Sequence, residues 1–339
     1  MRKADWLWFG IAAGAFVLIL AMVIGALAIH RARQAPPAAA PSASLSPALA
    51  PTDTPLLFET PTSSPTPPAA GAPPGRIVYT CQLAGDQICI MNADGSGMRQ
   101  LTFDNVRHWF PSLAPDGRSV VYSAYRMDNV YEIYELDLAS GLVTRLTDQL
   151  GVLKAPEISP DGRWIVFGNG DVSGGESIWI MERDGSNPRR LYAPGWDPTW
   201  SPDGERILFA SLAADGSIQL FIIGRDGSGL VQASRISGMR GRSDWSPDGF
   251  TLATYAGERW QREIYFMNTD GSNLRAVTDG GDNLAPSFSP DGEWVAFMSY
   301  RDHYQDVLGC EIYVMRIRDS YVLRLTYNEY CDWQPRWGP

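Results

Sequence analysis

The sequence predicts an all-β protein: a six-bladed β-propeller, closed by a C-terminal strand that completes the first blade. One transmembrane helix and a disordered Pro-rich stalk precede it. Three observations predict this architecture. A Pro-Asp-Gly tripeptide recurs five times at spacings of 42 to 45 residues, each copy followed by an apolar strand pattern. The 24 residues from Trp6 to Ile29 carry no charge. The 40 residues from Ala35 to Pro74 contain 12 Pro, 10 Ala, 5 Ser and 5 Thr.

These features divide the chain into a short tail (1–5), a signal anchor (6–29), a linker rich in Pro, Ala, Ser and Thr (30–74) and the repeat region (75–339). About 20 apolar residues in a helix span a bilayer core, and Trp6 and Trp8 stand where indoles favour the membrane interface. Arg2 and Lys3 flank one end, and His30, Arg31 and Arg33 the other, so the charge rule does not fix orientation. The run exceeds the ~7–15 residues of a signal-peptide core. Cleavage near Ala28, giving a secreted chain, is nevertheless the alternative, because Ala26-Leu27-Ala28 offers small residues. The linker lacks both the N–H donors for regular structure and the apolar mass for a core, so it reads as a semi-rigid spacer.

Repeats govern the rest. Pro-Asp-Gly occurs at Asp116, Asp161, Asp203, Asp248 and Asp291. A strand follows each, as in Trp164-Ile-Val-Phe167, then a second such as Ile264-Tyr-Phe-Met267, then a turn that is often Asp-Gly-Ser (Asp94, Asp184, Asp226 and Asp270), then a short strand such as Leu323-Arg-Leu-Thr326. Four strands in roughly 40–45 residues make a propeller blade. Five complete units are present, with a fragment at each end. Residues 75–102 supply all but an innermost strand, and Asp332 to Trp337 resembles the innermost pattern of Asp197 to Trp200. The C-terminal strand therefore completes the first blade, which gives six and leaves no open edge.

Pro198-Thr-Trp200-Ser-Pro-Asp-Gly204, the stretch from Ile88 to Ser96 and that from Ile264 to Ser272 resemble the repeat of TolB-type β-propellers. The resemblance covers the whole repeat region and is specific for the fold. TolB carries an α/β domain before its propeller and works with a peptidoglycan-associated lipoprotein. In this chain the apolar run and stalk stand in that domain's place. Propellers of prolyl-oligopeptidase type use similar repeats beside a hydrolase domain, for which the chain has no room.

In Pro-Asp-Gly, Pro fixes φ, the Asp carboxylate caps the turn and Gly takes positive φ. Asn92 to Ser96 resembles an ion-binding loop, but calcium needs about 6–8 oxygens and a bidentate acid at suitable spacing. No metal site and no cofactor are expected. With three His in the chain and no Gly-x-Ser-x-Gly, no catalytic set emerges. The net charge of −10 argues against nucleic acid as a partner, and the repeat region holds the acidity, with 35 acidic against 24 basic residues.

Loops after the second and fourth strands share one face and are irregular. They carry the candidate binding residues His108, Trp109, Tyr125, Arg126, Trp196, Arg242, Trp260, Tyr300, His303 and Tyr304, residue types that anchor interfaces. The alternative is that these side chains only cover loop backbone. Cys81, Cys89, Cys310 and Cys331 fall on the same face near the closure seam. In an exported chain they suggest the disulfides Cys81–Cys89 and Cys310–Cys331, with a four-Cys zinc site as the rival reading. The expected protein is a monomeric head on a membrane anchor, outside the cytoplasm, binding an envelope protein or glycan. The alternatives are a glycan lyase or hydrolase using channel carboxylates, and a sensory domain of an envelope transport or signalling complex.

Overall fold

The computed structural model describes residues 71–83, 85–170 and 175–339, and every regular element in them is a β-strand. The expected tail, membrane anchor and most of the linker (residues 1–70) lie outside the described residues.

The first strands are β1 (Arg76–Cys81), β2 (Gln87–Asn92) and β3 (Arg99–Gln100). Next come β4 (His108–Leu113), β5 (Ser119–Met127), β6 (Val130–Asp137) and β7 (Val143–Arg145), then β8 (Val152–Ile158), β9 (Trp164–Gly170), β10 (Glu176–Glu182) and β11 (Arg189–Tyr192). They are followed by β12 (Trp196–Trp200), β13 (Arg206–Leu212), β14 (Ile218–Gly224) and β15 (Val231–Gln232). Then come β16 (Met239–Trp245), β17 (Thr251–Ala256), β18 (Glu263–Asn268) and β19 (Arg275–Ala276). The chain ends with β20 (Asn283–Phe288), β21 (Trp294–Ser299), β22 (Glu311–Arg316), β23 (Tyr321–Arg324) and β24 (Asp332–Gly338).

Six separate four-stranded sheets were expected, and the structure corrects that number. Four separate four-stranded blades form, β24-β1-β2-β3, β12–β15, β16–β19 and β20–β23, and the remaining strands make one eight-stranded sheet from β4 to β11. A single parallel residue pair, Tyr131 with Val152, joins the halves of that sheet. The halves otherwise meet face to face, with Val121 and Ile133 packed among Ile165, Phe167 and Met181. The same kind of apolar contact separates the other units: Val78 and Ile88 meet Val120 and Leu136, and Phe266 meets Phe288 and Phe297. This burial, worth about 25 cal/mol per Å² of apolar surface, drives the stacking.

The C-terminal strand joins the first blade. β24 pairs antiparallel with β1, Arg76 opposite Gly338 and Cys81 opposite Asp332. Arg76 Nη2 donates to the Pro339 carbonyl at 3.1 Å and to the Gly117 carbonyl at 2.5 Å, tying the seam to the next hairpin. Two disulfides lie beside it, Cys81–Cys89 within one blade and Cys310–Cys331 between β22 and the approach to β24.

Local chemistry explains the hairpins. At each Pro-Asp-Gly the Asp Oδ1 accepts the N–H two residues on, at 2.9 Å for Arg118 and 3.0 Å for Phe250. The Gly is left-handed, with φ of 67° at Gly117 and 77° at Gly249. On the opposite face a second device recurs. Thr102, Thr147, Thr278 and Thr326 each accept a third-strand N–H through the hydroxyl, at 2.9 Å in all four. Each hydroxyl donates in turn to Gln87, Glu132, Glu263 or Glu311. Ser234 and Gln219 repeat the arrangement. The outermost strand is thereby held by side chains where its ladder is only two to four residues long.

Candidate functional site

Strands β4, β8, β12, β16, β20 and β24 contact one another in a closed cycle around the centre of the structure. Each carries a bulge at the same height, where the register shifts: Trp109/Ser112, Lys154/Glu157, Trp196/Thr199, Gly241/Asp244, Leu284/Ser287, and opposite Val78/Thr80 for β24. Five residues there take left-handed φ without being glycine: Phe110 at 55°, Ala155 at 47°, Asp197 at 51°, Ala285 at 51° and Gln334 at 55°. In four of them a strand proline follows directly (Pro111, Pro156, Pro198, Pro286), and Pro335 follows Gln334. β16 solves the problem differently, with Gly241 taking φ of 140° and Arg242 the next position. A left-handed residue costs roughly 1–2 kcal/mol, so the tertiary context must enforce it at each site.

The bulges set two levels of side chains about the channel. At the deeper level, Arg336 of β24 reaches Glu157 of β8 and Asp244 of β16, each at 3.1 Å. Asp244 also accepts from Ser287 Oγ at 3.0 Å and the Phe288 N–H at 2.7 Å. Glu157 accepts from Thr199 Oγ1 at 2.9 Å and the Trp200 N–H at 3.1 Å. Burial pushes the Glu157 carboxyl up, against the opposing pull of Arg336. At the shallower level the Arg242 guanidinium lies 5.5 Å over the Phe110 ring, a cation–π contact. Burial, reinforced by Arg336, pushes Arg242 down to about 10. Asp197 Oδ2 accepts the Arg242 backbone N–H at 3.1 Å.

Above these levels, towards the irregular loops, lie half-buried Trp109, Trp196 and Trp333. Trp109 stacks on Tyr131 at 5.2 Å and meets Trp333 edge-on at 6.4 Å, and Tyr125 meets Tyr131 edge-on at 5.6 Å. Trp196 Nε1 reaches the Arg240 carbonyl at 3.5 Å, and Lys154 pairs with Glu176 at 3.2 Å. The mouth of the channel is thus rimmed by indoles and phenols with guanidinium groups beneath.

The residues expected on the loops sort into four fates. Trp109 and Tyr125 come together through Tyr131, Trp196 stands on β12 beside Arg240, and Arg242 is 6% exposed inside β16, over the Phe110 ring and not on a loop surface. His108 is likewise corrected: it opens β4, is 3% exposed, and burial lowers its pKa against the pull of Asp104, whose Oδ1 is 3.4 Å from Nε2. It borders a groove of about 610 Å³ with Phe103, Tyr122 and Tyr134, at the junction of the first two units. Trp260, Tyr300 and Tyr304 form a separate cluster. Its rings are 5.0 and 6.2 Å from Trp260, Arg259 lies 4.9 Å over the indole, and Tyr304 OH donates to the Trp260 carbonyl at 2.8 Å. Arg126 and His303 are exposed, and their side chains join neither cluster. Sequence reasoning missed Arg336, Glu157, Asp244, Asp197, Phe110 and Trp333. The detectable signal was the proline at five of the six bulges, with Arg336 standing where the other inner strands carry Ser112, Glu157, Thr199, Asp244 and Ser287.

An antiparallel propeller with its first blade completed by the last strand, and side chains converging on a central channel, defines the class of protein. The chain belongs to the TolB beta propeller domain family, which matches residues 69–308. It is 30% identical over 220 residues to an uncharacterized protein of Agrobacterium fabrum, covering 60% of this chain and 59% of that one. It is 28% identical over 195 residues to the Tol-Pal system protein TolB of Francisella tularensis, covering 56% of this chain and 45% of that one. The chain therefore spans about half the length of these relatives. Among solved structures, TolB of Acinetobacter baumannii superimposes with a TM-score of 0.69 at 21% identity, covering 79% of this chain and 68% of that chain. That likeness concerns the fold.

Proposed function

We propose that the chain is an interaction platform of the cell envelope, held to the membrane by residues 6–29, whose channel mouth on the irregular-loop face binds a protein partner. In this reading the two halves of the eight-stranded sheet count as separate blades, so six units frame the mouth. The observation that carries the reading is the rim itself: Trp109, Trp196 and Trp333 are half-buried around buried guanidinium groups. Partly exposed indoles over a charged floor are what interface hot spots are made of. The family supports a protein partner, since the Francisella relative is named for a Tol-Pal system. Affinity capture of envelope proteins by the full chain tests the partner, with a double Trp109→Ala, Trp196→Ala variant as the comparison. Equal capture by both chains counts against the mouth. Recovery in the membrane pellet, lost on deleting residues 6–29, tests the anchor separately.

A further inference from the structure

Four times in the fold an aromatic residue stands directly opposite another on the adjacent antiparallel strand. The pairs are Tyr122 with Tyr134, Phe167 with Trp179, Phe209 with Phe221 and Phe297 with Tyr313. Their rings stack at 5.9 to 6.5 Å. The chain covers two of these pairs with a further planar group of its own. The Arg301 guanidinium lies 5.3 Å over Phe297 and 4.8 Å over Tyr313, and the Tyr192 ring is 5.3 Å from Phe209. A third pair has aliphatic cover, with Leu146 and Leu150 packed on the cluster that holds Phe167. Tyr122 and Tyr134 instead border the groove of about 610 Å³ between the first two units. Tyr122 is 2% exposed, yet among the described residues neither hydroxyl has a hydrogen-bond partner and no cation lies over either ring.

The groove has a charge and an apolar wall to match. Two carboxylates line it, Asp104 and Asp137, against one guanidinium, Arg99. Burial lowers the pKa of His108, so the imidazole adds no charge at pH 7. Asp104 accepts the Val106 N–H at 3.1 Å and approaches His108 Nε2 at 3.4 Å, both through Oδ1, and its Oδ2 engages no group among the described residues. Phe103, on the wall of the groove, is 77% exposed. Aromatic faces attract a cation, carboxylate and phenol oxygens accept from the planar fork of a guanidinium, and an exposed phenyl ring covers an aliphatic stem. We propose that this groove receives an arginine side chain of a protein partner, its guanidinium set over Tyr134 and beside Asp104 as Arg301 is set over Tyr313. None of Trp109, Trp196 and Trp333 lines the groove, so this site is separate from the channel mouth and does not depend on it.

Saturation-transfer NMR on the full chain tests this, with the peptide acetyl-Gly-Arg-Gly-amide and its citrulline and lysine counterparts as probes. The arginine peptide receives saturation at its side-chain protons and binds more tightly than either counterpart, since citrulline keeps the shape without the charge and lysine the charge without the plane. Phe103→Ser and Asp104→Asn alter exposed side chains, and circular dichroism checks their folding. Each weakens the arginine peptide about two- to fivefold, the equivalent of one exposed cation–π or ion-pair contact. Asp279→Asn, at an exposed carboxylate outside the groove, and Trp196→Ala, at the mouth, leave binding unchanged. The proposal is overturned if the arginine peptide receives no saturation, if the citrulline or lysine peptide binds as tightly, or if either groove variant keeps the wild-type affinity. Loss of binding in Trp196→Ala would put the arginine at the mouth and overturn it equally.

Discussion

Arg336, three residues from the C-terminus, holds Glu157 of β8 at 3.1 Å across the centre of the structure while also holding Asp244 of β16 at the same distance. Side chains from strands that begin at Val152 and Met239 thus meet through the strand that closes the ring. Closure and channel chemistry are therefore one feature.

Removing the guanidinium leaves two carboxylates facing each other in a buried site. Arg336→Gln is expected to destabilise the fold by about 3–5 kcal/mol, the cost of breaking a buried pair from one side. Urea denaturation measures it. A loss under about 1 kcal/mol, the range of surface ion pairs, would mean the cluster is solvated in solution.

Asp332 opens the closing strand, is fully buried, and has one oxygen, Oδ1, without a partner. Burial, with Glu311 nearby, pushes its pKa up to about 8, against about 3.9 in an unfolded chain. The folded state therefore holds its proton more tightly. The stabilisation is full below about pH 4 and is lost as pH rises through about 8. Melting temperature should fall across that window from this group's contribution, and Asp332→Asn should flatten the slope there. An unchanged slope in the variant would refute the assignment.

The two disulfides close loops of different size, with sequence separations of 8 and 21. In the chain-entropy account a 15-residue loop is worth ~3 kcal/mol and longer loops more. Cys310→Ser with Cys331→Ser should lower stability more than Cys81→Ser with Cys89→Ser, compared by denaturation of the two double variants. The reverse order would point to contacts in the folded state instead of loop closure.

Gly249 offers a clean test of turn chemistry. Its φ is 77°, and a Cβ built there meets nothing within 4 Å. Gly249→Ala should therefore cost only the left-handed backbone, about 1–2 kcal/mol, with no change in cross-strand packing. A larger loss in thermal unfolding would implicate the hairpin in contacts beyond its own turn.

Much of the strand order could be read from the sequence because hairpins need special residues. Asp and Gly at a turn such as Asp248-Gly249 are chemically distinctive, and the 42–45-residue spacing repeats them. The bulges were harder, because Phe110, Ala155, Asp197, Ala285 and Gln334 share a backbone conformation and no side-chain type. Only the proline that follows marks them, and β16 replaces it with Ser243. Arg242 and Arg336 illustrate the same limit at the site. The first was read as a loop anchor and the second went unread, since which strands face across a channel depends on closure and not on neighbours in sequence. The merger of β4–β7 with β8–β11 rests on one residue pair, Tyr131 with Val152, a contact no repeat pattern encodes.

The central claim is that partner binding uses the mouth on the irregular-loop face. Site-specific photo-crosslinking on the full chain in its native envelope compares Trp196, at that mouth, with Phe250, which is 72% exposed beside a Pro-Asp-Gly hairpin on the opposite face. The account predicts a discrete crosslinked protein from position 196 and none from position 250. A product from position 250 alone would contradict it.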